Sequence, residues 1–180
     1  MFTDAQKRAL VEMARTAVAG HLGRQGARSA DIPTAHLPPA SGVFVTLKRK
    51  GDLRGCIGTL ECRRSLAEEV ARCAINAASE DPRFQPVRAS ELDDLCVEVS
   101  ILGALEPIDP LDPDAILVGR HGLVVEQGRH RGLLLPQVAT EWGWDRDAFL
   151  AHTCRKAGLP PDAWRSGALV YRFEAEVFGE

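Results

Sequence analysis

The sequence predicts an α+β fold with a mainly antiparallel sheet flanked by helices. Three observations carry this: two β-hairpin signals, helical stripes lying between isolated strand patterns, and the absence of the regular strand–helix alternation of a doubly wound fold. The chain of 180 residues suits one domain with a sizeable core. With 45% apolar and 26% charged residues it matches soluble globular proteins and argues against disordered, collagen-like or membrane classes.

Residues 4–19 predict a helix, because Leu10, Met13, Ala14, Ala17 and Val18 follow a helical stripe and Gly20 can stop it. Residues 23–41, with three prolines, predict an irregular loop with Ile32 and Leu37 as candidate anchors. Val43, Val45 and Leu47 alternate with Phe44, Thr46 and Lys48, and a second extended run covers Leu53 to Gly58, which together predict a hairpin. A period of two puts Arg54 and Cys56 on one face and Leu53, Gly55 and Ile57 on the other. Ser65 and Glu68 form a capping box before a helix that ends ahead of Asp81-Pro82.

A short helical turn at residues 90–94 precedes a strand in which Val97, Val99 and Ile101 alternate with Glu98, Ser100 and Leu102. An acidic, proline-punctuated connection follows, with a turn of helix expected near Asp112 to Leu117. Gly122 to Glu126 and Arg131 to Leu135 predict a second hairpin around Gly128-Arg129, and Pro136 opens a short helix to Trp142. Asp145 caps a helix carrying Phe149, Leu150, Thr153, Cys154 and Ala157, with Gly158 past its end. Residues 168–178 close the chain as a strand.

Five cysteines, an odd number without a CxxC pair, point to reduced thiols. The five histidines show no HxxxH or HExxH spacing, so no metal site is predicted. The beginning of the chain lacks the pattern of a secretory signal, and no apolar run approaches membrane-spanning length, so the expected location is the cytoplasm. Residues 1–64 hold 11 Lys and Arg against 5 Asp and Glu, whereas residues 65–180 hold 11 against 20. Either two solvated faces balance each other or the basic part binds a small anion in a positively biased cleft around Cys56. Nucleic acid is disfavoured by a pI near 6.0 and the lack of an aromatic-rich basic stretch.

The segment Leu53-Arg54-Gly55-Cys56-Ile57-Gly58 holds the chemistry expected of a site. Arg54 beside Cys56 would favour thiolate and bind an anion, and Gly55 and Gly58 would open the backbone to a substrate; alternatively Cys56 is a small buried hydrophobe and the glycines serve packing. His121, flanked by glycines, is the candidate base, with Glu98 to orient it. The competing readings are a turn histidine bonded to backbone and a solvated strand acid. Arg83 and Gln137 are candidate substrate-binding residues, or else a helix-end contact and a helix cap. Cys73 and Cys154 lie on core stripes, and Trp142, Trp144 and Trp164 are expected in the core or a cleft wall. Serine-hydrolase and phosphate-loop motifs are absent.

The ordered runs Gly42-Val43-Phe44-Val45-Thr46-Leu47, Leu53 to Gly58, Asp81-Pro82-Arg83-Phe84, Val97-Glu98-Val99-Ser100, Val118-Gly119-Arg120-His121-Gly122-Leu123 and Leu133-Leu134-Leu135-Pro136-Gln137-Val138 resemble the AMMECR domain family. Its prokaryotic members are called AmmeMemoRadiSam system protein A. The resemblance, from about residue 5 to 178, implies one α+β domain of two lobes with a cleft between them. It also implies the company of a Memo-like protein, similar to extradiol dioxygenases, and of a radical S-adenosylmethionine protein. It implies no settled reaction and leaves the cofactor unknown; within it Cys56 is the residue most like a reactive centre. Two functions follow: a cysteine-dependent enzyme or subunit using Cys56 and Arg54 on a small anionic substrate, or a non-catalytic module binding a small molecule or partner segment.

Overall fold

The structure, a computed structural model, describes residues 2–23 and 37–180. Ile32 and most of the expected loop lie outside the described residues. The chain divides into two compact units, Met1–Leu102 with Glu176–Glu180, and Gly103–Ala175. The described strand pairings within each are antiparallel.

In the first unit, β1 (Gly42–Arg49) pairs with β2 (Asp52–Thr59) and with β3 (Leu95–Leu102), leaving β2 at the sheet edge. Lys50 and Gly51 close the hairpin with positive φ, the conformation its two-residue loop requires. Val43, Val45, Leu47, Val97, Val99 and Ile101 form the buried face. Against it pack α1 (Asp4–His21) and α2 (Leu66–Ser79), whose Leu10, Ala14, Val18, Val70, Cys73 and Ala74 complete the core. Leu37 joins that core as expected. The Ser65–Glu68 capping box forms in both directions. Helix α1 continues through Gly20; Leu22 is its C-cap and Gly23 takes the positive φ expected of a terminator.

In the second unit, β4 (Glu106–Ile108), β5 (His121–Gln127), β6 (His130–Leu134) and the first part of β7 (Leu169–Gly179) form the sheet, with β7 between β4 and β5 and β6 beyond β5. Leu123, Val125 and Val170 face Phe149, Leu150 and Cys154 of α4 (Arg146–Lys156) and Ala139 of α3 (Pro136–Glu141). Gly122 lacks a side chain where the Phe173 ring lies, and an added Cβ would stand 2.2 Å from it. Residues Asp112 to Leu117 form turns instead of the expected helix: Asp109 and Asp112 accept from the backbone N–H two residues ahead, the local bonding that competes with a helix. Trp164 is buried, but Trp142 is 71% exposed and stacks on Trp144, which stacks in turn on His152, so Trp142 is not a core residue.

The two glycines with opposite environments make a paired prediction. An alanine Cβ at Gly55 would lie 2.1 Å from the Ala77 carbonyl oxygen of α2, so Gly55→Ala should cost about 1–3 kcal/mol or more. Nothing approaches Gly20 within 4 Å, so Gly20→Ala should stabilise by about 0.5–1 kcal/mol through helix propensity. Urea unfolding of both variants checks the signs.

Candidate functional site

Cys56 sits on the edge strand β2, directly opposite Thr46, which in turn lies opposite Glu98 on β3. Partners across an antiparallel pair share a face, so Cys56, Thr46 and Glu98 form one row on the side of the sheet turned away from α1 and α2. The Cys56 N–H points outward, where it donates to Asp81 Oδ2 at 2.9 Å. The Cys56–Thr46 pair is therefore the narrow, non-hydrogen-bonded kind, which draws its side chains together. The Thr46 hydroxyl donates to the Cys56 sulfur at 3.2 Å. The thiol is half-buried.

Asp81 is the residue that organises this edge. It is buried, and besides Cys56 it accepts the Arg83 N–H at 3.1 Å and the Arg83 guanidinium at 3.0 Å and 2.7 Å. That guanidinium, first of all, holds the Asp81 carboxyl far below the usual carboxylate range, against the opposing effect of burial. Arg83 is gripped through Nε and one terminal nitrogen, and its side chain is 55% exposed and lies over the Phe84 ring. The Asp81 contact expected at this helix end is thus present, and Arg83 stays accessible beside the Cys56 backbone.

Arg54 is used differently. Register passes from Leu47–Gly55 to Lys48–Leu53, so Arg54 is the extra residue of a bulge that interrupts the period of two. Its Nε and one terminal nitrogen bind the two carboxylate oxygens of Glu91 at 2.9 and 3.0 Å, and its remaining donors reach the carbonyls of Gln85 and Pro86. Glu91 lies in the 3-10 helix Ala89–Asp94 and also accepts from Arg49 and from the Arg88 N–H. Glu98 is paired with Lys48 at 2.9 Å. Lys48, Arg49 and Arg54 of the basic hairpin thus meet acids of residues 91–98, the balancing of charges that competed with an anion-binding cleft built on Arg54. Gly55 gives way to the α2 backbone and Gly58 to the Phe44 ring, so both glycines serve close packing.

His121 and Gln137 belong to the second unit, whereas Cys56, Arg54, Glu98 and Arg83 belong to the first. His121 is buried at the start of β5, and its Nδ1 accepts the Leu117 N–H at 3.1 Å. Burial, helped by Arg172, pushes its pKa below the ordinary histidine value. The neutral ring consequently carries its proton on Nε2, so it presents a donor there and no lone pair for a base. This is the backbone-bonded histidine that the alternative reading describes. Gln137 is exposed on the first turn of α3, where its carbonyl accepts from Thr140.

The AMMECR1 family model matches residues 11–178. The chain belongs to the AMMECR1 family. It is 51% identical to a protein of Methanothermobacter thermautotrophicus over 96% of this chain and 93% of that one, and 48% identical to one of Pyrococcus furiosus over 95% and 86%. A crystal structure of an uncharacterized protein from Pyrococcus horikoshii shares the fold, with a TM-score of 0.84 and 46% identity over 99% of this chain and 93% of that one.

In this AMMECR1-family chain, sequence reasoning missed Thr46, Asp81 and Glu91 as site residues. The signal available for Asp81 was its place before Pro82 at a helix end; Thr46 had only its position in the alternating strand. Among the described residues no group of three or more His, Cys, Asp or Glu could hold a metal ion, and no helix is long and apolar enough to cross a membrane. Cys73 and Cys154 are fully buried, and burial raises the Cys73 thiol to about 11.

Arg54, foremost, holds the buried Glu91 carboxyl down to about 2. A depressed carboxylate stabilises the fold above its unfolded value of about 4.3, and that contribution disappears as pH falls toward 2. Arg54→Ala should lower stability at neutral pH by about 3 kcal/mol and flatten its decline between pH 4.5 and 2. Urea unfolding across this range measures both, and an unchanged acid slope would count against the assignment.

Proposed function

We propose that this chain takes a small anionic ligand over Cys56, with Arg83 as the anion-binding group and the thiol as the group that reacts with it. It would work as an enzyme subunit in the company of Memo-like and radical S-adenosylmethionine proteins. One observation carries the reading: a single carboxylate, Asp81, holds both the Cys56 backbone and the Arg83 guanidinium. A charge fixed by a buried partner does not have to be reorganised when a ligand arrives, and the exposed side of the guanidinium keeps its remaining donors. Arg83 takes the part that Arg54, engaged by Glu91, is not free to play. Thr46 donates to the sulfur at 3.2 Å and so holds it in place on this face of the sheet.

The alternative is a non-catalytic binding module. It draws support from Glu98 and His121, since Lys48 pairs with the first and the Leu117 N–H fills Nδ1 of the second, so His121 is not set up as a base nor Glu98 to orient one. Cys56 would then form a wall of the ligand site.

Alkylation with a charged and a neutral reagent tests the site directly. Iodoacetate relative to iodoacetamide should be favoured several-fold at Cys56 over the exposed Cys96, and Arg83→Gln should abolish that preference. Equal ratios at the two cysteines would remove Arg83 from the proposal. The partners are checked separately, by gentle co-purification from the native source; the Memo-like and radical S-adenosylmethionine proteins should accompany this chain, and their absence would leave it acting alone.

A further inference from the structure

We propose that the second unit carries a binding site of its own, for an α-amino acid with an apolar side chain. The site is a depression of about 410 Å³ beside β4, β5 and β7, a size within the range of small-ligand pockets. Register builds its polar wall: Glu106 lies opposite Arg172, and His121 opposite Glu174. Arg172 and Glu174 continue the same face of β7 as the buried Val170, and His121 the same face of β5 as Leu123 and Val125. The face that forms this unit's apolar core therefore runs out into charge where the depression opens.

The charges come in matched pairs. Arg172 binds Glu106 at 3.0 Å, and Arg120 binds Glu174 at 2.9 and 2.7 Å. Two cations and two anions select neither a net anion nor a net cation, but they suit a molecule carrying both. Glu106, Arg120 and Glu174 are each more than half exposed, and ion pairs of that kind contribute little to stability, so a ligand can exchange with them. His121 adds direction. With Nδ1 filled by the Leu117 N–H, its Nε2–H is a donor whose closest carboxylate oxygen, on Glu174, stands 4.0 Å away, beyond hydrogen-bond length.

A ligand carboxylate meets the two guanidinium groups and this Nε2–H, and its ammonium meets the glutamates. Leu117, half exposed at the rim, and Ala104 supply apolar surface for the side chain.

The test is a titration followed by the His121 imidazole nitrogen resonances. L-leucine is compared with isocaproate, which keeps only the carboxylate, and isoamylamine, which keeps only the ammonium. L-leucine should produce a saturable shift, each analogue should bind at least about tenfold more weakly, and Glu174→Gln and Arg172→Lys should each weaken L-leucine by a similar factor. Arg172 also donates to the Ala115 carbonyl, so Arg120→Gln, on a mostly exposed pair, provides the same readout if Arg172→Lys fails to fold. The iodoacetate preference of Cys56 should be unaffected by L-leucine, which separates this site from the one in the first unit. No saturable shift with L-leucine, or equal binding of all three probes, overturns the proposal.

Discussion

The Asp81 carboxylate does in the first unit what no backbone group can. Strand β2 lies at a sheet edge, and its outward N–H at Cys56 would otherwise face solvent or another chain. A buried carboxylate accepting that N–H is itself expensive unless compensated, and Arg83 supplies the compensation from two residues away. Because the same contact fixes which way the Cys56 amide points, it also determines that Cys56 and Thr46 form the close kind of cross-strand pair. The position of the sulfur is thus inherited from an ionic interaction on the strand's far side.

Charge follows a similar logic through the rest of the molecule. The uneven distribution along the sequence largely cancels locally, as Lys48 meets Glu98, and Arg49 and Arg54 converge on Glu91. Arg83 is more exposed than any of these cations although its partner is buried. Local cancellation also explains why a net charge of -3 says so little about which groups a ligand would meet.

What could be read from the sequence was what depends on near neighbours. The 43–58 hairpin, the Ser65–Glu68 box, the Asp145 cap and the Gly128-Arg129 turn are encoded within a few residues, and each is present. The site needed contacts across 25 to 37 positions, between Cys56 and Asp81 and between Arg54 and Glu91, which no local period reveals. The bulge at Arg54 is likewise a property of pairing: strict alternation set the arginine beside the thiol, and the extra residue redirected it. Strand β4 escaped notice because three residues containing a proline have no period to detect. The end of α1 was misplaced because an exposed glycine near a helix terminus is tolerated when a better terminator, Gly23, follows.

The two glycines of β2 bear on how this family's history should be read. Gly55 is held by the Ala77 carbonyl and Gly58 by the Phe44 ring, while Arg54 answers Glu91 and Ile57 packs on the core. Selection for folding alone would keep those four positions constant over long divergence, whatever the protein does. Of the residues Arg54 through Gly58, Cys56 is the one whose identity this architecture leaves open to smaller side chains. If lineages retain sulfur there while the surrounding surface drifts, chemistry rather than packing will have been the constraint.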